Sequence, residues 1–275
     1  MPRIQRLRDS LTGFPPVDPP SLWLLALEQR ALGEFFAGLS LLPMLRRLSP
    51  RGDGHPVLVI PGLGASDLST TLLRRFLDSL GYATHPWGLG RNRGMHDHRI
   101  DQMRARLEQI HTESARKVSL VGQSLGGVYA REMARAMPDR VRQLITLGSP
   151  FAGHPLASTG IHLYEWLSGE RMEDMDFDRH RNMRATPPVP STSIYSKLDG
   201  VVAWQCSIED GPGDSESINL RGHSHTGMAS APLALYLIAE RLAQAADAWT
   251  PYVPKGAAKL FFGPGDHLPQ VSNAY

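Results

Sequence analysis

Ser124 stands between two glycines in Gly122-Gln123-Ser124-Leu125-Gly126, and a third, Gly127, follows. A serine hydroxyl is a poor nucleophile near neutral pH. It needs a base to take its proton and an acid to orient that base and stabilise its charged form. The sequence offers both downstream, acid before histidine, an order that this chemistry uses. Asp199 lies in Ser196-Lys197-Leu198-Asp199-Gly200-Val201-Val202, with Asp210 and Asp214 as further acids. An Asp-Gly pair is also the make-up of an ordinary turn, so its position just after an apolar run is what singles Asp199 out. Two histidines, His223 and His225, share Arg221-Gly222-His223-Ser224-His225-Thr226-Gly227. His225 is the preferred base, because Gly227 two residues on leaves room for a close approach to the serine. Charge developing on a substrate oxygen needs two prepared N–H donors. The backbone of Leu125 supplies one, and Leu63, in Gly62-Leu63-Gly64, is the candidate for the other.

These residues need a scaffold that ends strands where they stand. Lys117-Val118-Ser119-Leu120-Val121 reads as a buried strand, and Gly127 to Met137 as a helix closed by Pro138. Strand, sharp turn and helix are the setting that makes G-x-S-x-G a nucleophile turn. Around it the pattern alternates. Strands are expected at Pro56–Ile60, Ala83–Trp87, Val141–Leu147, Thr192–Ser196 and Ser217–Leu220. Helices are expected at Ser69–Leu80, Asp97–His111 and Pro232–Ala246. Such alternation predicts an α/β fold, a mostly parallel doubly wound sheet with ligands beyond the carboxyl ends of its strands. Residues 151–190 interrupt the rhythm and predict a helical lid insertion, with Leu163, Trp166, Leu167, Met172, Met175 and Phe177 as an apolar set for an acyl chain.

The organisation expected is an arm and apolar helix over residues 1–50, a main domain over 51–250, and an irregular tail over 251–275. Ser21 is the expected cap of the apolar helix, which Pro43 ends or kinks. That helix packs on the main domain, with a weak membrane or lipid-surface contact as the alternative, kept open by Arg46, Arg47 and Arg51.

Composition narrows the classes. The 275 residues carry 29 Lys+Arg against 27 Asp+Glu, a net charge of +2, which gives no footprint for nucleic acid. The single cysteine, Cys206, leaves no internal disulfide or CxxC-type zinc site and is expected as a small core residue. Met1-Pro2-Arg3 leads into a polar, proline-rich stretch instead of an apolar run with a cleavage site, so a cytoplasmic location is expected. The His96-Asp97-His98 and His223-Ser224-His225 spacings lack a third metal ligand. Gly62-Leu63-Gly64-Ala65-Ser66 lacks the lysine of a phosphate-binding loop. No cofactor is expected.

Val57-Leu58-Val59-Ile60-Pro61-Gly62-Leu63-Gly64, Gly122 to Gly127, Thr146-Leu147-Gly148-Ser149-Pro150 and Ser196 to Val202 resemble the successive signatures of α/β-hydrolase lipases and esterases. Bacterial lipase-like hydrolases also carry the Trp-Gly-Leu-Gly-Arg-Asn loop seen at Trp87 to Asn92. The similarity runs from about Gly54 to Leu242. It implies the eight-stranded hydrolase fold and hydrolysis of small-molecule carboxylic esters, with Ser124 as nucleophile, Asp199 as acid and His225 as base. Pro61 stands where many lipases have a histidine before the oxyanion glycine. Short- to medium-chain acyl esters are the expected substrates, with a thioesterase, an acyltransferase or a true interfacial lipase as the alternatives.

Overall fold

Continuous apolar runs, too short for helices and flanked by turn residues, become strands buried on both faces. The computed structural model describes residues 14, 17–171, 174–209 and 211–266. Its strands are β1 (Pro56–Ile60), β2 (Ala83–Pro86), β3 (Val118–Gln123), β4 (Val141–Leu147), β5 (Ser191–Tyr195), β6 (Ser215–Leu220) and β7 (Phe262–Pro264). They form one sheet in the order β2-β1-β3-β4-β5-β6-β7. All neighbours are parallel except β6 and β7. The described residues thus hold seven strands where the sequence resemblance implies eight.

The helices are α1 (Leu22–Ala26), α2 (Ala31–Leu48), α3 (Thr71–Leu80), α4 (Asp97–Ser114), α5 (Leu125–Ala136), α6 (Ile161–Ser168), α7 (Phe177–Asn182), α8 (Pro232–Leu242) and α9 (Ala258–Phe261). Side-chain alternation along β1 divides the core in two. Val57 and Val59 join Leu73, Phe76 and Leu77 of α3 and Leu235 and Ile238 of α8 on one face. Leu58 and Ile60 join Ile100, Met103 and Leu107 of α4 and Tyr129 and Met133 of α5 on the other.

Three elements differ from the sequence expectation. Of the two expectations for Pro43, an end or a kink, the end is not met: α2 runs on to Leu48, and Leu42 and Leu45 are buried in the same cluster as α8, packing that outweighs the missing N–H. The C-terminal stretch expected as irregular carries α9 and β7, because Phe262, opposite Leu220, buries its ring at the sheet edge. Of the apolar set on the insertion, Trp166 is 78% and Leu163 49% exposed, so α6 turns these two outward; Met172 lies outside the described residues. The outer side of α1 and α2 likewise leaves Leu22, Trp23, Leu32, Phe36 and Leu48 exposed. Among the described residues no helix is long and apolar enough to cross a membrane.

The insertion between β4 and β5 is tied to α5 by Arg131, which is fully buried. Its guanidinium pairs with Glu209 and donates to the carbonyls of Met183, Arg184 and Ala185. A planar fork with this many donors fixes the end of the insertion against the helix that starts at Leu125.

Candidate active site

The turn after β3 carries the first candidate group, Ser124. Ser124 adopts φ 51° and ψ −124°, between the last residue of β3 and the first of α5. A positive φ is costly for a serine, and such strain persists only where the surroundings hold it. Ser124 N–H donates to Leu147 O at 2.8 Å, and Gly127 N–H to Ser124 O at 2.9 Å. The flanking glycines are needed for space. A Cβ on Gly122 would lie 2.5 Å from Gly127 Cα, and one on Gly126 would lie 2.6 Å from Pro61 O.

Leu147 is followed by Gly148, at φ 53°, and a Cβ there would stand 3.0 Å from both Asp199 Oδ2 and His225 Nδ1. Asp199 and His225 therefore meet beside the end of β4, one strand over from Ser124. His225 Nδ1 is 2.7 Å from Asp199 Oδ2, and both residues are buried. Asp199 Oδ1 accepts the N–H groups of Val201 and Val202, each at 2.8 Å. Both oxygens of the carboxylate are thus engaged, which fixes its plane. Burial works against a charge on His225, but the field and hydrogen bond of Asp199, with Glu28 beyond, outweigh it and raise its pKa above the ordinary imidazole value of 6.5.

His223 points elsewhere: its Nδ1 faces Arg221 O at 2.9 Å within its own loop. Asp214 is exposed, and Asp210 lies outside the described residues. Gly227 makes room, but not for the serine. Its missing side chain admits the carboxylate of Glu34, whose Cδ would lie 2.9 Å from a Cβ at that position.

Leu63 belongs to the turn after β1, folded onto the serine so that a Cβ on Gly62 would stand 3.3 Å from Ser124 Cβ. The N–H groups of Leu63 and Leu125 make no hydrogen bond with a described residue, nor does the Ser124 hydroxyl. Buried Asn92 braces this turn: its Nδ2 donates to Pro61 O at 2.9 Å, its N–H to Ala65 O at 2.8 Å, and its carbonyl accepts from Gly64 at 2.7 Å. Asp67 in turn accepts from Trp87 and Gly88, holding the Trp87–Asn92 loop. Gln123, the last residue of β3, donates from Nε2 to the carbonyls of His225 and Thr226, both at 3.1 Å. Asn92 and Gln123 were inside motifs visible in the sequence, but their partners are 31 and 102 residues away.

From the insertion, α6 leans over this corner. Leu167 Cδ1 lies 3.2 Å from where a Gly64 Cβ would be. Tyr164 bonds Glu170 at 2.9 Å, and Glu170 faces His96 Nδ1 at 3.2 Å. Cys206 is buried, and burial, reinforced by the charge of Asp199, pushes its thiol up to about 12. It is not a reactive group at neutral pH.

A family model described as palmitoyl protein thioesterase matches residues 56–174. Among solved structures, a monoacylglycerol lipase from Paleococcus ferrophilus superposes with a TM-score of 0.54 at 16% identity, over 71% of this chain and 96% of that one. The mature lipase BlEst2 from Bacillus licheniformis gives 0.55 at 16% identity, over 72% and 95%. The chain has the α/β-hydrolase fold. Comparison with curated proteins finds no match. In this fold the serine turn follows β3, the Asp199 turn follows β5, and the histidine loop follows β6 and precedes α8.

Proposed function

We propose that the protein is a serine hydrolase that cleaves carboxylic esters through an acyl-enzyme, using Ser124, Asp199 and His225. The observation that carries this reading is Ser124 at φ 51°, one strand from the buried pair of Asp199 and His225 at 2.7 Å. When substrate binds, the Ser124 hydroxyl comes within reach of His225 Nε2; such contacts are commonly loose in free enzymes. His225 takes the proton as Oγ attacks the carbonyl carbon. The oxygen of that carbonyl gains the negative charge and accepts from the free N–H groups of Leu63 and Leu125. Asp199 stabilises the imidazolium, which then gives its proton to the departing alcohol. Water, deprotonated by the same histidine, attacks the acyl-Ser124 carbonyl and releases the acid, returning the proton to Ser124.

The half-buried Leu167 over Gly64 and the half-buried Phe177 support an acyl chain of medium length under the insertion acting as a lid. Each methylene that enters such a pocket contributes about 0.8 kcal/mol, roughly fourfold in kcat/KM. With p-nitrophenyl esters, activity is expected to climb from acetate and peak between butyrate and octanoate. A strict preference for acetate overturns the acyl-pocket reading, and absence of fluorophosphonate labelling in the folded protein overturns the enzyme reading. The match over residues 56–174 favours a second substrate class, thioesters, opened by the same steps. Labelling with fast acyl-thioester cleavage and negligible ester cleavage would select it.

The exposed Leu22, Trp23, Leu32 and Phe36, with Arg46 and Arg47 exposed on the same helical segment, support contact with an anionic lipid surface. Co-sedimentation with phosphatidylglycerol-containing vesicles is expected, weakened by salt and by Trp23→Ala. A stable dimer that ignores vesicles would place a second copy on this face instead.

A further inference from the structure

The two loops that bring Asp199 and His225 together come from the ends of different strands, β5 and β6, and the sheet reaches the second of them through Gln123 of β3. Both are held by the 3-10 turn Leu27–Arg30 and the start of α2. Glu28 Oε1 accepts the N–H of Gly200 at 2.9 Å and the N–H of His225 at 2.9 Å. Its Oε2 accepts the N–H of Thr226 at 3.0 Å. One carboxylate therefore bonds the residue after Asp199, His225 itself and the residue after His225. Arg30 Nη2 donates to Leu198 O at 2.5 Å and His223 O at 2.9 Å, spanning the same two loops. Glu34 accepts Ser224 N–H at 2.9 Å and Ser224 Oγ at 2.6 Å. Gly200 is part of the fit: a Cβ there would lie 2.6 Å from Leu24 C, at the backbone of α1.

We propose that Glu28 is a positioning residue of the active site, fixing the separation of the loops that carry Asp199 and His225, with Arg30 and Glu34 bracing it. The assignment rests on the serine hydrolase reading above. It makes the N-terminal segment a part of the catalytic apparatus. Glu28 is half-buried. Burial disfavours its charge, yet the N–H groups of Thr226, His225 and Gly200, and the proximity of His225, hold its pKa below the ordinary carboxylate value. The charge in turn acts on His225. The ionisable groups around that imidazole are Asp199 on Nδ1, Glu28 at its own N–H, Glu34 at Ser224, Arg30 at the His223 carbonyl, and Cys206 within the field of Asp199. Glu28 adds to Asp199 in favouring the imidazolium.

The test is Glu28→Gln, which keeps the shape but removes the charge and replaces one acceptor by a donor facing an N–H. In the wild type, the acidic limb of kcat/KM is expected above the ordinary imidazole value of 6.5, because the proposed reaction needs neutral His225. The variant is expected to move that limb to lower pH and to lose about ten- to a hundredfold in kcat with little change in KM, the size of effect that small misplacements produce. Glu28→Asp keeps the charge but shortens the reach, so it is expected to lose kcat with the limb closer to wild type. If Glu28→Gln does not fold, Glu28→Asp and Glu34→Gln carry the test through their kcat loss. Wild-type kcat and an unmoved limb in folded variants overturn the proposal. The NMR titration of His225 reads the same charge without turnover. A lowered imidazole pKa in Glu28→Gln, in a protein that fluorophosphonate does not label, keeps the Glu28 contact and rejects the hydrolase; an unchanged pKa rejects the contact itself.

Discussion

Ser124→Ala is expected to abolish fluorophosphonate labelling and to lower ester turnover by about a millionfold, the loss seen when a triad nucleophile is removed. His225→Ala should cost nearly as much, since nucleophile and base act as a unit. His223→Ala is the informative control. Its ring faces only Arg221 O, and the contact that matters to the neighbouring loops, its carbonyl accepting from Arg30, survives the substitution. Its turnover should stay close to wild type. Steady-state kinetics on the three variants, with circular dichroism to show that each is folded, reads the result. A dead His223→Ala beside an active His225→Ala would sink the assignment of the base.

Asp199→Asn is expected to leave the fold in place and lower kcat by about ten-thousandfold. The asparagine oxygen can still accept from Val201 and Val202, so the turn is preserved. Its amide nitrogen then faces His225 Nδ1 in place of Oδ2. That donor forces Nδ1 to accept, which puts the ring proton on Nε2, where no proton can be taken from Ser124. The imidazolium also loses the charge that favours it. Thermal unfolding close to wild type together with the rate loss would separate this tautomer effect from general damage. A variant retaining more than a tenth of wild-type kcat would remove Asp199 from the mechanism.

Much of the architecture is local in origin and was legible residue by residue. The apolar run at Pro56–Ile60 buries both faces as an inner strand of a parallel sheet, flanked by β2 and β3. Gly122 and Gly126 announce the turn that Ser124 occupies, because any side chain there would collide with backbone. The helical spacing of Leu72, Leu73, Phe76, Leu77 and Leu80 reports one buried face, and these residues are buried together. Such features depend on chain stereochemistry and on apolar periodicity over ten residues or so, and both are written in order along the sequence.

Other features are properties of the assembled molecule. His223 and His225 have nearly the same neighbours in sequence; only the packing of β5 beside β6 brings the second ring to Asp199. Glu28, Arg30 and Glu34 read as the polar residues of an apolar helical segment, since their partners lie between 168 and 198 residues away. Gly227 looks like space for the serine until the fold fills it with Glu34. Trp166 looks like lining for a pocket until the orientation of α6 turns it to solvent. Phe262 belongs to a stretch rich in glycine and proline and becomes a strand only because the edge of β6 is there to pair with it. Hydrogen bonds between buried loops and the facing of a helix depend on which surfaces meet in three dimensions, and no periodicity in the chain encodes that meeting.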